Sequence, residues 1–245
     1  MSTILTSVFT THNPGDVLMT SSLTDTTIKY SNFSTLNMQG GYVKVNNHST
    51  IQTINMAKMG KYDLNRDHEK KIVFNTCAVN FLNCMSGVAV VENGCKINIG
   101  NCTDDGMIWV EGGSINKLTS TAHEVTIGNG YVDEIMLHEG NLWLVERGCV
   151  RKVHVNEDGV FYSGRRRWPN SNTCLTPYVA YLEAKGGKLK LRGDIAIGEL
   201  NITNKTQIQV EEKVTVSIGK IIVNGTRIID HEDFIAQHTV WLIVD

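Results

Sequence analysis

The chain has 245 residues, a formal charge of −2 and 41% apolar residues, which is enough for one large domain with a filled core. So even a charge balance gives no basic face for nucleic acid or another generic polyanion. No run of about eighteen apolar residues is present to cross a bilayer, and residues 1–16, MSTILTSVFTTHNPGD, show no export leader.

Glycine is abundant at 22 and proline scarce at 3. Val, Ile and Leu come in short alternating bursts such as GYVKV, KLKLR and VTVSI. That is the composition of strands. The first thirty residues are expected to cap one end of the molecule. At residue 33 the chain reads FSTLNM and at 51 IQTINM, so a hexad of apolar-x-x-apolar-x-apolar returns after eighteen residues.

The hexad continues at Val79-Leu82-Cys84, in degraded form at Ile97-Cys102, and at Ile115-Leu118. Further copies are Val132-Ile135-Leu137, Val150-Val153-Val155, Val179-Leu182-Ala184, Ile197-Leu200-Ile202 and Ile218-Ile221-Val223. The starts step by 18, 28, 18, 18, 17, 18, 29, 18 and 21. The two long steps read as one period plus an insertion, near 58–71 and 164–178, because loops lengthen at modest entropic cost. Between hexads lie glycine turns and a second short strand, as in QGG-YVKV, SG-VAVV, DDG-MIWV, HEG-NLWLV and KGG-KLKL. Glycine there suits a backbone turning through positive φ.

One such repeat cannot bury its own apolar face, but stacked repeats can, each strand pairing with its counterpart about 4.8 Å away. Crossover sterics favour a right-handed coil. The expected fold is therefore all-β: a right-handed, single-stranded parallel β-helix of about ten coils, on the order of 45 Å long. It spans residues 1–245 as one domain, with a cap at 1–30, coils over 31–225 and a closing cap at 226–245, since open strand edges need cover. The first, fourth and sixth hexad residues should point inward. The fifth should point out, stacking Asn37, Asn55, Asn83 and Asn101 as a hydrogen-bonded ladder or leaving them on a solvated face.

The hexads, the glycine turns and the eighteen-residue step over about residues 28–225 resemble the passenger repeats of AIDA-type autotransporter adhesins. That resemblance implies a non-enzymatic, extracellular or cell-surface β-helix, a stalk-like segment that mediates adhesion and self-association. It carries no catalytic signature.

Candidate chemistry is sparse. Cys77 and Cys95, and Cys84 and Cys102, are eighteen apart and should stack as free, mostly buried thiols. With Cys149 and Cys174 they show no zinc spacing. Acids recur at Asp104-Asp105, His123-Glu124, His138-Glu139 and Glu157-Asp158. They could form a calcium ladder or the carboxylates of a glycosidase or lyase, as in pectin-lyase-like or tailspike-like β-helices. Because they follow the repeat rather than break it, neither a metal, a cofactor nor catalysis is expected of them. The breaks are better binding candidates. Arg165, Arg166, Arg167 and Trp168 gather guanidinium groups beside an indole, suited to an anionic glycan, a phosphate or a protein carboxylate, or else form a solvated loop folded over the rod. Trp109 and Trp143 alternate with inward residues and should face out, to stack on sugars, join two copies or be covered by a loop.

Overall fold

In a computed structural model of the chain, the described residues are 5–9, 17–20, 24–57, 70–164, 176–203, 205–211, 214–228 and 240–243. They contain strands and turns and no helix. The strands stack in parallel as a β-solenoid of about ten turns, divided between two compact units, Met1–Leu118 and Thr119–Asp245.

The first unit holds β1 (Leu5–Phe9), β2 (Val17–Thr20), β3 (Thr24–Lys29), β4 (Asn32–Met38), β5 (Gly41–Asn46), β6 (Thr50–Met56) and β7 (Lys70–Phe74). Two long, bent strands come next, β8 (Ala78–Glu92) and β9 (Lys96–Glu111), then β10 (Ser114–Ser120), which enters the second unit at its last two residues. Strands β2, β4, β6 and the first halves of β8 and β9 form one parallel stack. Strands β1, β3, β5, β7 and the second halves of β8 and β9 form another. The register is the one the repeat demands: Leu36 opposes Ile54, which opposes Leu82. The ten-residue surplus between Met56 and Val79 leaves that register untouched. The insertion at 58–69 itself lies outside the described residues.

The second unit holds β11 (Glu124–Ile127), β12 (Tyr131–Leu144), β13 (Cys149–Ser163), β14 (Tyr178–Ala184), β15 (Lys188–Leu191), β16 (Ile195–Ile202), β17 (Gln207–Glu211), β18 (Val216–Val223), β19 (Thr226–Ile228) and β20 (Val240–Ile243). Here β12, β13, β14, β16 and β18 stack in parallel, as do β11, β12, β13, β15, β17 and β20.

Both ends differ in detail from simple caps. Within 1–30, β2 already stands in register with β4, Leu18 opposite Leu36, so the coil begins before the first sequence hexad. At the other end β19 folds back antiparallel on β18 through Asn224 and Gly225, at φ 48° and 80°. An Asn-Gly pair with both φ positive is the turn that suits a tight hairpin. Strand β20 adds a further parallel strand to β17.

The interior is built as the hexad predicts, except at Ile218, the first position of the last copy, which is only half-buried. Leu36, Met38, Ile51, Ile54, Met56, Leu82, Val132, Ile135, Leu137, Val150, Val153, Val179 and Leu182 are all fully buried. Each such side chain contributes about 1.5–3 kcal/mol relative to exposure. The degraded copy has a steric explanation. Its fourth position is Gly100, opposite Leu82, and a Cβ added there would meet Leu118 Cδ1 at 3.1 Å. Leu118 occupies the space a larger residue would need.

Candidate functional site

Second, third and fifth hexad residues face outward, and the two units dress them differently. In the first unit the fifth column is a continuous amide ladder. Asn55 Nδ2 donates to Asn37 Oδ1 at 2.9 Å, Asn83 to Asn55 at 2.8 Å, and Asn101 to Asn83 at 2.9 Å. In-register parallel pairing dictates this, since identical side chains one strand apart can each donate forward and accept from behind. A second ladder runs beside it on the second hexad position. Asn98 donates to Asn80 at 2.8 Å and Asn116 to Asn98 at 3.1 Å. The third hexad column runs beside the first ladder through Thr35, Thr53, Phe81 and Ile99, all half-buried; Phe81 and Ile99 lie between the two ladders, and exposed Lys117 follows at the coil of Asn116. Over the four coils starting at 33, 51, 79 and 97, these three columns give twelve positions without a single charge, in a chain that is 20% charged.

About half of the corresponding positions of the second unit are charged, among them Asp133, Glu134, Arg151, Lys152, Glu183, Glu199 and Lys220. Arg151 grips Asp133 with Nε at 2.5 Å and Nη2 at 2.7 Å, and Tyr131 donates to the same carboxylate at 2.9 Å. The Arg151 and Tyr131 hydrogen bonds hold the Asp133 carboxyl down at about 2. Three residues along β13 from Arg151, His154 lies between two carboxylates, Nδ1 2.8 Å from Glu183 and Nε2 3.6 Å from Glu134. Burial pushes Glu183 up, but His154 and Lys185 outweigh it and bring the carboxyl below its ordinary range. Lys220 pairs with Glu199 at 3.0 Å, and Asn201 donates to Tyr181 Oη at 3.2 Å. These partially exposed pairs satisfy one another, and each contributes little to stability.

Trp109 and Trp143 both sit half-buried on strands whose neighbours, Ile108 and Val110, Leu142 and Leu144, are fully buried. The outward alternation is therefore as expected. Trp143 nevertheless has one face committed: it stacks on Tyr162 with centroids 4.0 Å apart and 10° between planes. Lys190 Nζ and the Arg192 guanidinium lie over the same Tyr162 ring at 5.3 and 5.1 Å. Arg192 in turn pairs with Glu211 at 3.0 Å. Register explains the column, since Trp143 opposes Tyr162 and Tyr162 opposes Lys190. The loop candidates Arg165, Arg166, Arg167 and Trp168 lie outside the described residues.

The stacked cysteines are free and buried, with Cys77 and Cys95 Sγ atoms 3.3 Å apart and Cys84 opposite Cys102. A hydrogen bond with its stacking partner, then burial, raises the Cys95 and Cys102 thiols far above the ordinary range. Such thiols are poor nucleophiles and poor metal ligands. Cys174 lies outside the described residues. The acidic turns do not converge: Glu157 pairs with Lys205 at 3.3 Å, and His138 meets Asn156 at 2.8 Å. Among the described residues no three His, Cys, Asp or Glu side chains are grouped to hold a metal ion.

One arrangement was invisible in the sequence. Lys70 is 6% exposed, at the position its register gives to Gly41 in the coil before. Its ammonium donates to the Ala57 carbonyl and, at 3.0 Å, to Ser86 Oγ, which also donates to Ala57 at 3.0 Å. Burial lowers the Lys70 ammonium to about 8. Lys70 thus ties down the backbone where the 58–69 insertion departs.

Fold and surface together define a parallel β-solenoid whose outward side chains are engaged chiefly with one another. Compared with protein-family models, with curated proteins and with solved structures, the chain matches none.

Proposed function

We propose that this chain is a non-enzymatic structural and adhesive β-solenoid, a stalk- or passenger-like segment that works outside the cell or at its surface. It would act through its outer faces, by holding a surface ligand or further copies of itself. The single observation that carries this reading is the use of the polar outward residues: they form ladders and closed pairs along the stack instead of converging on a point. A catalytic centre needs a nucleophile, acid or base aimed at a shared locus. The acidic turns and the buried thiols supply none. The repeat pattern and its resemblance to AIDA-type passengers agree with this reading but add no residue-level role.

The test is adhesion by the full chain. Beads coated with it should clump with one another or attach to surfaces bearing glycans or extracellular protein, while albumin-coated beads stay dispersed. Dispersed, non-attaching coated beads, or release of reducing sugar from polysaccharides incubated with the chain, would overturn the proposal. The second outcome would favour a carbohydrate-cleaving β-helix instead.

A further inference from the structure

We propose that the amide face of the first unit binds a neutral, linear polysaccharide of β-linked hexoses, laid along the stacking direction with about one sugar per coil. The inference rests on the adhesive reading above and names the ligand class it requires.

The argument starts from hydrogen-bond capacity. An asparagine amide has two N–H donors and an oxygen with two lone pairs. In the ladder from Asn37 to Asn101, each bond uses one N–H and one lone pair. The inner members, Asn55 and Asn83, each keep one N–H and one lone pair after both ladder bonds are made, and they are half-buried at the solvent side. Parallel pairing repeats this unused donor and acceptor every strand spacing, about 4.8 Å. The second ladder, Asn80 to Asn116, runs a parallel track of the same chemistry. A ligand able to use the whole face must itself repeat with nearly that step and carry donors and acceptors together. An extended chain of β-linked hexoses does both, because each ring advances the polymer by close to one strand spacing and bears several hydroxyl groups.

Charge narrows the class. The three columns carry no charged residue over the coils starting at 33, 51, 79 and 97 and a single one, Lys117, at the coil of Asn116, so a uronate polymer, a sulfated glycan or a nucleic acid would lose hydration with too few of the cationic partners it needs. A protein partner is disfavoured for another reason, since binding hot spots draw on Trp, Tyr and Arg, which these positions lack. The one aromatic ring, half-buried Phe81 between the ladders, supplies an apolar platform for sugar C–H groups. The second unit serves as an internal control. The same hexad positions there carry Asp133, Arg151, Glu134, Glu183 and Glu199, locked into ion pairs, and no free amide track.

The test is depletion of the full chain from solution by insoluble neutral polysaccharides, cellulose and chitin, with alginate and heparin gels as charged comparators. Unmodified chain should be retained on at least one neutral polymer and not on the charged ones. Asn83→Leu removes the central amide, and Gln52→Arg puts a charge at an exposed outward position while leaving both ladders intact. Each should weaken retention at least tenfold, and Arg151→Ala in the second unit should not change it. Should Asn83→Leu fail to fold by circular dichroism, Gln52→Arg decides. No retention on either neutral polymer, equal retention by a folded Gln52→Arg variant, or equal retention on alginate overturns the inference. If the coated beads still adhere while neutral polysaccharides are ignored, the adhesive reading stands and this ligand class falls.

Discussion

Replacing Asn83 by alanine cuts the longer ladder at an inner member. Asn83 donates to Asn55 and accepts from Asn101, so the substitution removes two side-chain hydrogen bonds, whereas Asn37→Ala at the ladder's end removes one. A typical net contribution is about 0.5–1.5 kcal/mol per bond, and a half-exposed amide left behind recovers water. The expected loss is therefore about 1–2 kcal/mol for Asn83→Ala and about half that for Asn37→Ala. Chemical denaturation read by circular dichroism measures both, with a double-mutant cycle of Asn55→Ala and Asn83→Ala isolating the shared bond. Neighbouring side chains in one network typically couple by about 0.5–3 kcal/mol, and the low end is expected here. Equal losses at Asn83 and Asn37, or zero coupling between Asn55 and Asn83, would refute the ladder as a source of stability.

Three further outcomes are expected from the structure. Lys70 is harder to protonate folded, at about 8, than unfolded, near 10.5; between those values its site binds more protons in the unfolded chain, so the Lys70 contribution to stability should rise with pH by up to about 3 kcal/mol. The raised Cys95 and Cys102 thiols act in the opposite sense, so the readout is the difference: denaturation midpoints of the unmodified chain minus those of Lys70→Met should climb from pH 7 to 10.5, and a flat difference would contradict this. Gly140 and Gly225 share a left-handed φ of 77° and 80°, yet an added Cβ would run into the Ala122 carbonyl at the first and meet nothing within 4 Å at the second; Gly225→Ala should cost about 1 kcal/mol and Gly140→Ala clearly more, and equal melting shifts would contradict this. Finally, Cys77, Cys84, Cys95 and Cys102 should resist an aromatic disulfide reagent in the native protein and react once it is unfolded, as the burial of all four and the raised thiols of Cys95 and Cys102 require; rapid native labelling of any of them, mapped by peptide mass, would count against the packing.

The architecture was legible because a solenoid writes its register into the sequence. Spacing alone put Leu36 opposite Ile54 and Leu82, and it put Asn37, Asn55 and Asn83 in one outward column. It also implied the second ladder, since Asn80, Asn98 and Asn116 are eighteen apart, a signal hidden because the hexad directs attention to its apolar positions. Other features depended on three-dimensional neighbours. At DDG the left-handed residue is Asp104, φ 51°, while Gly106 is needed because a Cβ would collide with the Cys84 carbonyl. The outward placement of Trp143 could be read from alternation, but its stacking on Tyr162 depends on what lies nineteen residues on. The buried ammonium of Lys70 could not be anticipated, because nothing in KKIVF marks one lysine as turned toward a departing backbone.

Magnetic-resonance broadening between two nitroxide labels offers the most direct check that equivalent segments lie side by side. Lys188 and Gln207 are exposed register partners on β15 and β17, nineteen residues apart, and can be labelled through cysteine in a Cys149→Ser, Cys174→Ser background. Parallel in-register stacking sets their backbones about 5 Å apart and predicts strong dipolar broadening in the doubly labelled protein. A spectrum equal to the sum of the two singly labelled proteins would contradict it.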